Sequence, residues 1–180
     1  MQPILRRLTF LGILLVSLGW IGLSSDPGGS STYGSIPAPQ QGFLAPDFTL
    51  LNLEGESMTL SEQRGNAVLV NLWATWCPPC RAEMPAIQKM YAFYKDQGFV
   101  VMAVNVTNQD DRDAILPFSL EYALTFPLLL DVGGQVSSLY ELRSLPSSFF
   151  IDRQGIVQEV VIGGPMSEAL LQTRIERILE

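Results

Sequence analysis

Cys77 and Cys80 are the residues of this chain whose type and spacing are best suited to chemistry. They are the only two cysteines among 180 residues, and they lie in the motif WCPPC at residues 76–80. An apolar run over residues 67–73 predicts a buried strand before the motif, and residues 81–97 predict a helix after it. A C-x-x-C pair between a strand and a helix is typical of dithiol redox chemistry.

The start of the predicted helix indicates which cysteine attacks. Unpaired N–H groups and a partial positive charge beside Cys77 favour its thiolate, which is the form that attacks disulfides. Cys80 falls inside the first turn, where we expect it to be buried, and we assign it to resolve the mixed disulfide. Pro78 and Pro79 suit the first turn because their missing N–H groups have no intrahelical partner there, and they stiffen the loop.

Two other interpretations of the cysteine pair are weaker. A zinc site needs four N, S or O ligands, and the chain has no third cysteine and no histidine. A purely structural disulfide between residues three apart closes a very small loop and gains little from loop entropy. The sequence therefore favours a redox-active pair.

The composition excludes several classes of function. The formal net charge is −7, from 18 acidic and 11 basic residues, which argues against a nucleic-acid partner because phosphates require a basic face. The absence of histidine removes histidine general-base catalysis, histidine metal ligands and a Ser-His-Asp triad. A hydrophobic content of 47% is sufficient for a core, and we expect one domain and a monomer.

The first 43 residues differ in composition from the rest of the chain. Arg6 and Arg7 precede an uncharged stretch over residues 8–25, which predicts a transmembrane anchor or a signal sequence over residues 1–23. An A-x-A cleavage pattern is missing, which favours a retained anchor, and the two arginines predict that the following chain lies outside the cytoplasm. Residues 24–43 are rich in Gly, Ser and Pro and predict a flexible linker.

The remaining chain predicts an α/β domain over residues 44–180. Residues 44–60 read as a β-hairpin, and the apolar run at residues 99–105 predicts a strand that completes a parallel βαβ unit with residues 67–97. The later segments predict a helix at 110–122 broken near Pro117, a short strand at 128–131, a short helix at 135–142, a hairpin of strands 147–151 and 156–162, and a final helix at 166–180.

Residues 71–85, NLWATWCPPCRAEMP, resemble the active-site stretch of the TlpA/ResA-type thiol-disulfide oxidoreductases of bacteria. This group of the thioredoxin superfamily includes the cytochrome c maturation thioredoxins. The resemblance implies a thioredoxin fold, in which helices flank both faces of a mixed sheet, with the N-terminal hairpin added. It also implies a single-pass protein of the bacterial inner membrane with a periplasmic catalytic domain, disulfide-bearing client proteins and a membrane thiol electron donor.

The same resemblance assigns client binding to the residues around the cysteines. It implies that Leu145-Pro146 is the cis-proline loop that faces the disulfide and leaves the backbone of residue 145 free to pair with an extended client. We expect Trp76 to shield the sulfurs and offer a flat contact surface. With Pro78 and Pro79, these residues form the predicted substrate-binding set.

Three further residues near the motif have predicted roles. Glu83 lies one turn after Cys80, and in ResA-like proteins a glutamate at this offset is implicated in raising the thiol pKa and relaying protons; the alternative is a carboxylate favoured by the helix dipole. Asn71 stands where general thioredoxins carry a buried aspartate, and we expect a hydrogen-bonded core amide. We expect Arg81 to be solvated.

These observations favour a reductase of protein disulfides that needs no cofactor beyond its two sulfurs. An oxidant that donates disulfides is the alternative, because the sequence does not determine the reduction potential. A peroxidase is disfavoured because Val70 and Ala74 occupy the places of proline and threonine in the peroxiredoxin pattern P-x-x-x-T-x-x-C. A metal chaperone on the same fold is disfavoured because such proteins typically add a histidine ligand.

Overall fold

The computed structural model describes residues 36–180, in which seven strands and four α-helices follow one another. Their bounds, in chain order, are β1 (Thr49–Asn52), β2 (Ser57–Thr59), β3 (Ala67–Trp73), α1 (Pro78–Tyr94), β4 (Phe99–Asn105), α2 (Arg112–Glu121), β5 (Leu128–Leu130), α3 (Gln135–Leu139), β6 (Ser147–Ile151), β7 (Val157–Ile162) and α4 (Glu168–Leu179). The predicted anchor at 1–23 and linker residues 24–35 lie outside the described residues. Among the residues described, none of the helices combines the length and apolar character needed to cross a bilayer.

The seven strands form one mixed sheet in the order β2-β1-β5-β4-β3-β6-β7. The central strands β5, β4 and β3 are parallel, and the strands on both sides of them pair antiparallel. β3 and β4 are the longest strands and pair over their full length, from Ala67↔Phe99 to Trp73↔Asn105. This arrangement confirms the predicted thioredoxin fold and brings the end of β3 to the middle of one sheet edge.

The side chains of β3 alternate between two apolar layers. Ala67, Leu69 and Trp73 pack with side chains of α1, α2 and α4 on one face of the sheet. Val68 and Leu72 pack with α3 and the segment around Phe48 on the other face. Because both faces are covered, every residue of β3 is buried, which is why the strand reads as a continuous apolar run.

The helix α1 carries its buried residues on one stripe. Met84, Ile87, Met90 and Tyr94 recur at helical spacing and join the first of these layers. Each large side chain removed from water contributes about 1.5–3 kcal/mol to folding. This burial fixes the helix against β3 and therefore fixes its N-terminus, where the cysteines lie.

Residues 37–44 run beside the outer strand β7. The Gly42 N–H donates to the Val157 carbonyl at 2.8 Å, and the Val157 N–H donates to the Phe43 carbonyl at 2.9 Å. Leu44 forms an antiparallel bridge with Ile156. The last residues that the sequence assigns to the linker are therefore bonded to the sheet.

Two prolines lie inside helices without ending them. α1 is continuous through Pro85, and α2 is continuous through Pro117, so the predicted break near Pro117 is wrong. Pro117 is exposed, and the buried side chains of Ile115 and Phe118 hold the helix on both sides of it. Packing thus compensates for the backbone hydrogen bond that proline cannot donate.

The end of α2 is capped by an alanine in the left-handed conformation. Ala123 has a φ of +49°, and the Leu124 N–H donates back to the Ser119 carbonyl at 2.9 Å, which is the bond of a Schellman cap. Glycine adopts this left-handed conformation without steric cost. We expect Ala123→Gly to raise the free energy of unfolding by about 0.5–1 kcal/mol, measured by urea unfolding.

The matched control is the same substitution inside a helix. Ala92 is exposed in α1, where glycine costs about 1 kcal/mol relative to alanine. Ala92→Gly should therefore lower the free energy of unfolding. Equal destabilisation by both substitutions would contradict the strain assigned to Ala123.

Candidate active site

The two cysteines are joined as a disulfide at the start of α1. Cys77 is the N-cap residue, and the Cys80 N–H donates to the Cys77 sulfur at a distance of 3.3 Å. Pro78 and Pro79 occupy the first helical positions. The Cys77 sulfur therefore lies where the helix dipole favours negative charge, as the sequence predicts.

Exposure distinguishes the two cysteines only slightly. Cys77 is 3% exposed and Cys80 is fully buried. Only Cys77 borders a surface cavity of about 360 Å³, together with Trp76, Pro78, Pro79, Gln109 and the segment of residues 142–145. An approaching molecule in this cavity therefore meets Cys77 first.

The cavity brings most of the predicted client-binding residues together. Trp76, Pro78, Pro79 and Leu145 all line it. Pro146 follows Leu145 and is buried, and the Leu145–Pro146 peptide bond is cis, as the resemblance implies. We call this cavity the disulfide groove.

Trp76 is the most exposed large apolar side chain of the disulfide groove. Its side chain is 57% exposed, but the indole N–H donates to the Gln109 carbonyl at 2.9 Å. The ring therefore has a fixed edge and an open face. This geometry suits the flat contact surface that the sequence predicts.

Glu83 is completely buried on the sheet-facing side of α1. Its Oε1 accepts from Asn71 Nδ2 at 2.9 Å, and its Oε2 accepts from the Met166 N–H at 3.2 Å. Burial raises the pKa of Glu83 above its ordinary value of 4.5, and the hydrogen bonds from Met166 and Asn71 lower it by less. Glu83 and Cys80 are both buried residues of α1 and are close enough in sequence to lie in the same turn.

Asn71 is a buried amide, as predicted. It lies on β3 and donates to Ser148 Oγ at 2.9 Å as well as to Glu83. Among residues 36–180, its Oδ1 has no hydrogen-bond partner. Asn71 therefore links Glu83 to β6, the strand that begins just after Pro146.

Gly164 is a site residue that the sequence analysis missed. A Cβ atom at this position would lie 2.9 Å from Glu83 Oε2 and 2.9 Å from Pro146 Cγ. The connection between β7 and α4 therefore touches both the buried carboxylate and the proline loop. The only sequence signal was the Gly-Gly-Pro run at residues 163–165, which reads as an ordinary strand break.

Arg81 is not simply solvated, contrary to the prediction. Its guanidinium donates to Glu121 Oε1 at 2.9 Å and to the Thr75 carbonyl at 3.2 Å. It also lies over the rings of Phe118 and Tyr122, at 5.2 and 5.4 Å from their centroids. Sequence spacing gave no sign of the partners Glu121, Phe118 and Tyr122 because they come from α2 and its end.

Metal ligands are not grouped in the part of the chain that the structure describes. Among residues 36–180, no three Asp, Glu, Cys or His side chains lie close enough to hold a metal ion.

Comparison with known proteins agrees with this site. The AhpC/TSA family matches residues 42–160. The chain is 34% identical to the thiol-disulfide oxidoreductase ResA of Geobacillus kaustophilus over 179 residues, which cover 99% of this chain and 95% of that protein. It is 39% identical to the thioredoxin-like protein YneN of Bacillus subtilis over 154 residues, covering 84% and 88% of the two chains.

Solved structures of other proteins are also similar to this chain. A Chlorobium tepidum protein described as a candidate thiol:disulfide interchange protein DsbE superposes with a TM-score of 0.69 at 34% identity, covering 76% of this chain and 96% of that one. StoA from Bacillus subtilis superposes with a TM-score of 0.63 at 28% identity, covering 72% and 96%. This chain therefore belongs to the AhpC/TSA family and, within the thioredoxin superfamily, to the ResA-like thiol-disulfide oxidoreductases.

Proposed function

We propose that this protein reduces disulfides of client proteins outside the cytoplasm, with Cys77 as the attacking thiolate and Cys80 as the resolving thiol. The observation that carries this proposal is that Cys77 borders the disulfide groove while Cys80 is fully buried behind it. This difference supports Cys77 as the sulfur that a client disulfide meets first.

The cycle balances with two electrons. In the dithiol state, the Cys77 thiolate attacks one sulfur of the client disulfide, which forms a mixed disulfide and releases the other client sulfur as a thiolate. Cys80 then loses its proton and attacks the Cys77 sulfur. This forms the Cys77–Cys80 disulfide, breaks the mixed disulfide and releases the second client thiolate. The client gains two electrons and the enzyme loses two.

Glu83 is proposed as the group that takes the proton from Cys80. It lies in the same buried turn as Cys80. Because burial raises its pKa, the pKa of Glu83 is closer to that of a thiol than the pKa of an exposed glutamate is. Asn71 cannot ionise and holds Glu83 by a hydrogen bond instead. Its place in the active site is therefore to position the carboxylate rather than to exchange protons.

Client binding is proposed along the disulfide groove. Trp76, Pro78 and Pro79 supply a rigid, mostly apolar wall, and the backbone at Leu145, beside Pro146, offers hydrogen-bonding groups to an extended chain. Nothing in this mechanism needs a cofactor beyond the two sulfurs. The TlpA/ResA resemblance suggests apocytochrome c or a copper-site assembly protein as the client.

We propose a location on the periplasmic side of the bacterial inner membrane. Residues 1–23 would serve as the anchor or signal, residues 24–43 as the tether, and a membrane thiol donor would return two electrons to the Cys77–Cys80 disulfide. The basic residues Arg6 and Arg7 before the apolar stretch support this orientation.

The order of the two cysteines can be tested by trapping. Cys80→Ser should accumulate mixed disulfides with client proteins because the resolving thiol is absent, whereas Cys77→Ser should accumulate few because the buried Cys80 cannot reach a client. Non-reducing electrophoresis of both variants measures the adducts. More adducts with Cys77→Ser than with Cys80→Ser would reverse the assignment.

The role of Glu83 predicts a change in pH dependence. In the wild type, the step in which Cys80 resolves the mixed disulfide should accelerate as the pH rises through the pKa of Glu83, because only the carboxylate accepts a proton. Burial holds that pKa above 4.5, so the midpoint of the acceleration lies above pH 4.5. In Glu83→Gln this rise should disappear, and resolution near neutral pH should be about 10²-fold slower.

Stopped-flow measurement of thiol release from a preformed mixed disulfide gives these rates. Glu62→Gln is the matched control because Glu62 is exposed in the turn before β3. Identical pH profiles for the wild type and Glu83→Gln would leave Glu83 a purely structural residue.

The direction of electron flow is tested by the reduction potential of the Cys77–Cys80 pair, equilibrated with glutathione or dithiothreitol. We expect a value near or below about −250 mV, in the range of thioredoxin-like reductants. A value near about −120 mV is that of a strong oxidant and would reverse the proposed direction.

A further inference from the structure

Thr75 is the residue that attaches the loop between β3 and α1 to the rest of the domain. Its N–H donates to Asp110 Oδ2 at 2.6 Å, and its hydroxyl lies 2.5 Å from Asp110 Oδ1. Its carbonyl accepts from Arg81 at 3.2 Å. Two charged side chains therefore satisfy all three polar groups of Thr75, which directly precedes Trp76 and Cys77.

Asp110 is itself tied to two other elements. Its Oδ2 also accepts from Asn105 Nδ2 at 2.7 Å, at the end of β4, and its Oδ1 accepts from the Asp111 N–H at 2.9 Å, at the start of α2. One half-buried carboxylate thus collects hydrogen bonds from the active-site loop, the neighbouring strand and the following helix. Bonds to an ionised acceptor are the stronger class of hydrogen bond.

The same turn also holds the tryptophan. Gln109, the residue before Asp110, supplies the carbonyl that accepts from the Trp76 indole N–H at 2.9 Å. On the opposite side of Thr75, Arg81 is bound to Glu121 at the end of α2. Residues 109–121 therefore contact the active-site loop from both ends of α2.

We infer that Asp110 is a positioning residue for the thiol-disulfide exchange: by fixing Thr75, it holds Trp76 in place as a wall of the disulfide groove. The carboxylate does not border this groove and exchanges no electrons. Its effect is on client binding, through the orientation of the indole ring. The inference rests on the proposed function only in taking a protein disulfide as the substrate.

The test is Asp110→Asn in the full chain. The amide has the same shape, but its NH₂ group replaces one carboxylate oxygen and cannot accept a hydrogen bond. The two hydrogen bonds that this oxygen accepts are therefore lost. We expect KM for insulin disulfides to rise about tenfold, which corresponds to one charged hydrogen bond, with kcat within about twofold of the wild type. Hydrogen exchange of the Trp76 indole N–H, assigned by NMR with Trp76→Phe, should accelerate about tenfold.

Asp111→Asn is the matched control. It removes the same charge from the adjacent residue, and asparagine keeps the α2 cap that Asp111 forms with the Asp113 N–H. Its KM and its indole exchange should stay at wild-type values. Equal KM changes in both variants would assign the effect to charge alone and overturn the inference, as would an unchanged KM or unchanged indole exchange in Asp110→Asn.

Thr75→Val covers the case in which Asp110→Asn fails to fold. It removes only the hydroxyl that bonds to Asp110, keeps the Thr75 N–H, and should change KM and indole exchange in the same direction with a smaller magnitude. The absence of both changes would overturn the inference. If the wild type reduces no protein disulfide, the proposed function fails, but the indole exchange still decides the role of Asp110.

Discussion

A carboxylate that is fully removed from water is the constraint on which the active site of this protein depends. Leaving an ion without partners in a protein interior costs several kcal/mol, so the chain has to bring hydrogen-bond donors to Glu83. One donor is Asn71, from the central strand β3, and the other is the Met166 N–H, from the connection before α4. The strand β3, the helix α1 and the connection before α4 must therefore meet at this carboxylate.

The hydrogen bonding of Glu83 also affects the packing of the proline loop beside the disulfide groove. Gly164 leaves room for Glu83 on one side and for Pro146 on the other, so the carboxylate and the proline loop are packed against a common backbone. Trp76, which also lines the disulfide groove, has a separate support, because its indole N–H is bonded to the Gln109 carbonyl. The proline loop and Trp76 are thus fixed by different parts of the fold.

The sequence predicted the central elements well because their residues carry strong local patterns. β3 and β4 are continuous apolar runs, and α1 has buried residues at helical spacing, so their positions follow from periodicity. The cysteine motif lies at the junction of two of these elements and was therefore placed correctly. The predicted break at Pro117 was wrong because the burial of Ile115 and Phe118 holds the helix together on both sides of the proline, and this burial depends on tertiary packing.

The unpredicted parts of the site depend on contacts between distant residues. Asp110 is separated by 35 residues from Thr75, and Met166 by 83 from Glu83. Neither pair has a spacing that indicates contact, since a polar residue in a loop usually faces solvent. Arg81 was expected to be solvated for the same reason. Such residues become recognisable only when the fold has brought their partners beside them.

The alternation of side chains along β3 has a consequence for how this strand can change in evolution. Asn71 faces the layer that contains Glu83, while Val70 and Leu72 face the apolar layer on the other side of the sheet. An insertion or deletion of one residue before Asn71 would exchange the two faces and place an aliphatic side chain against the carboxylate. The length of β3 is therefore constrained by the hydrogen bond from Asn71 to Glu83 as well as by packing. Homologous chains that keep this glutamate are expected to vary in their loops and not in the length of this strand.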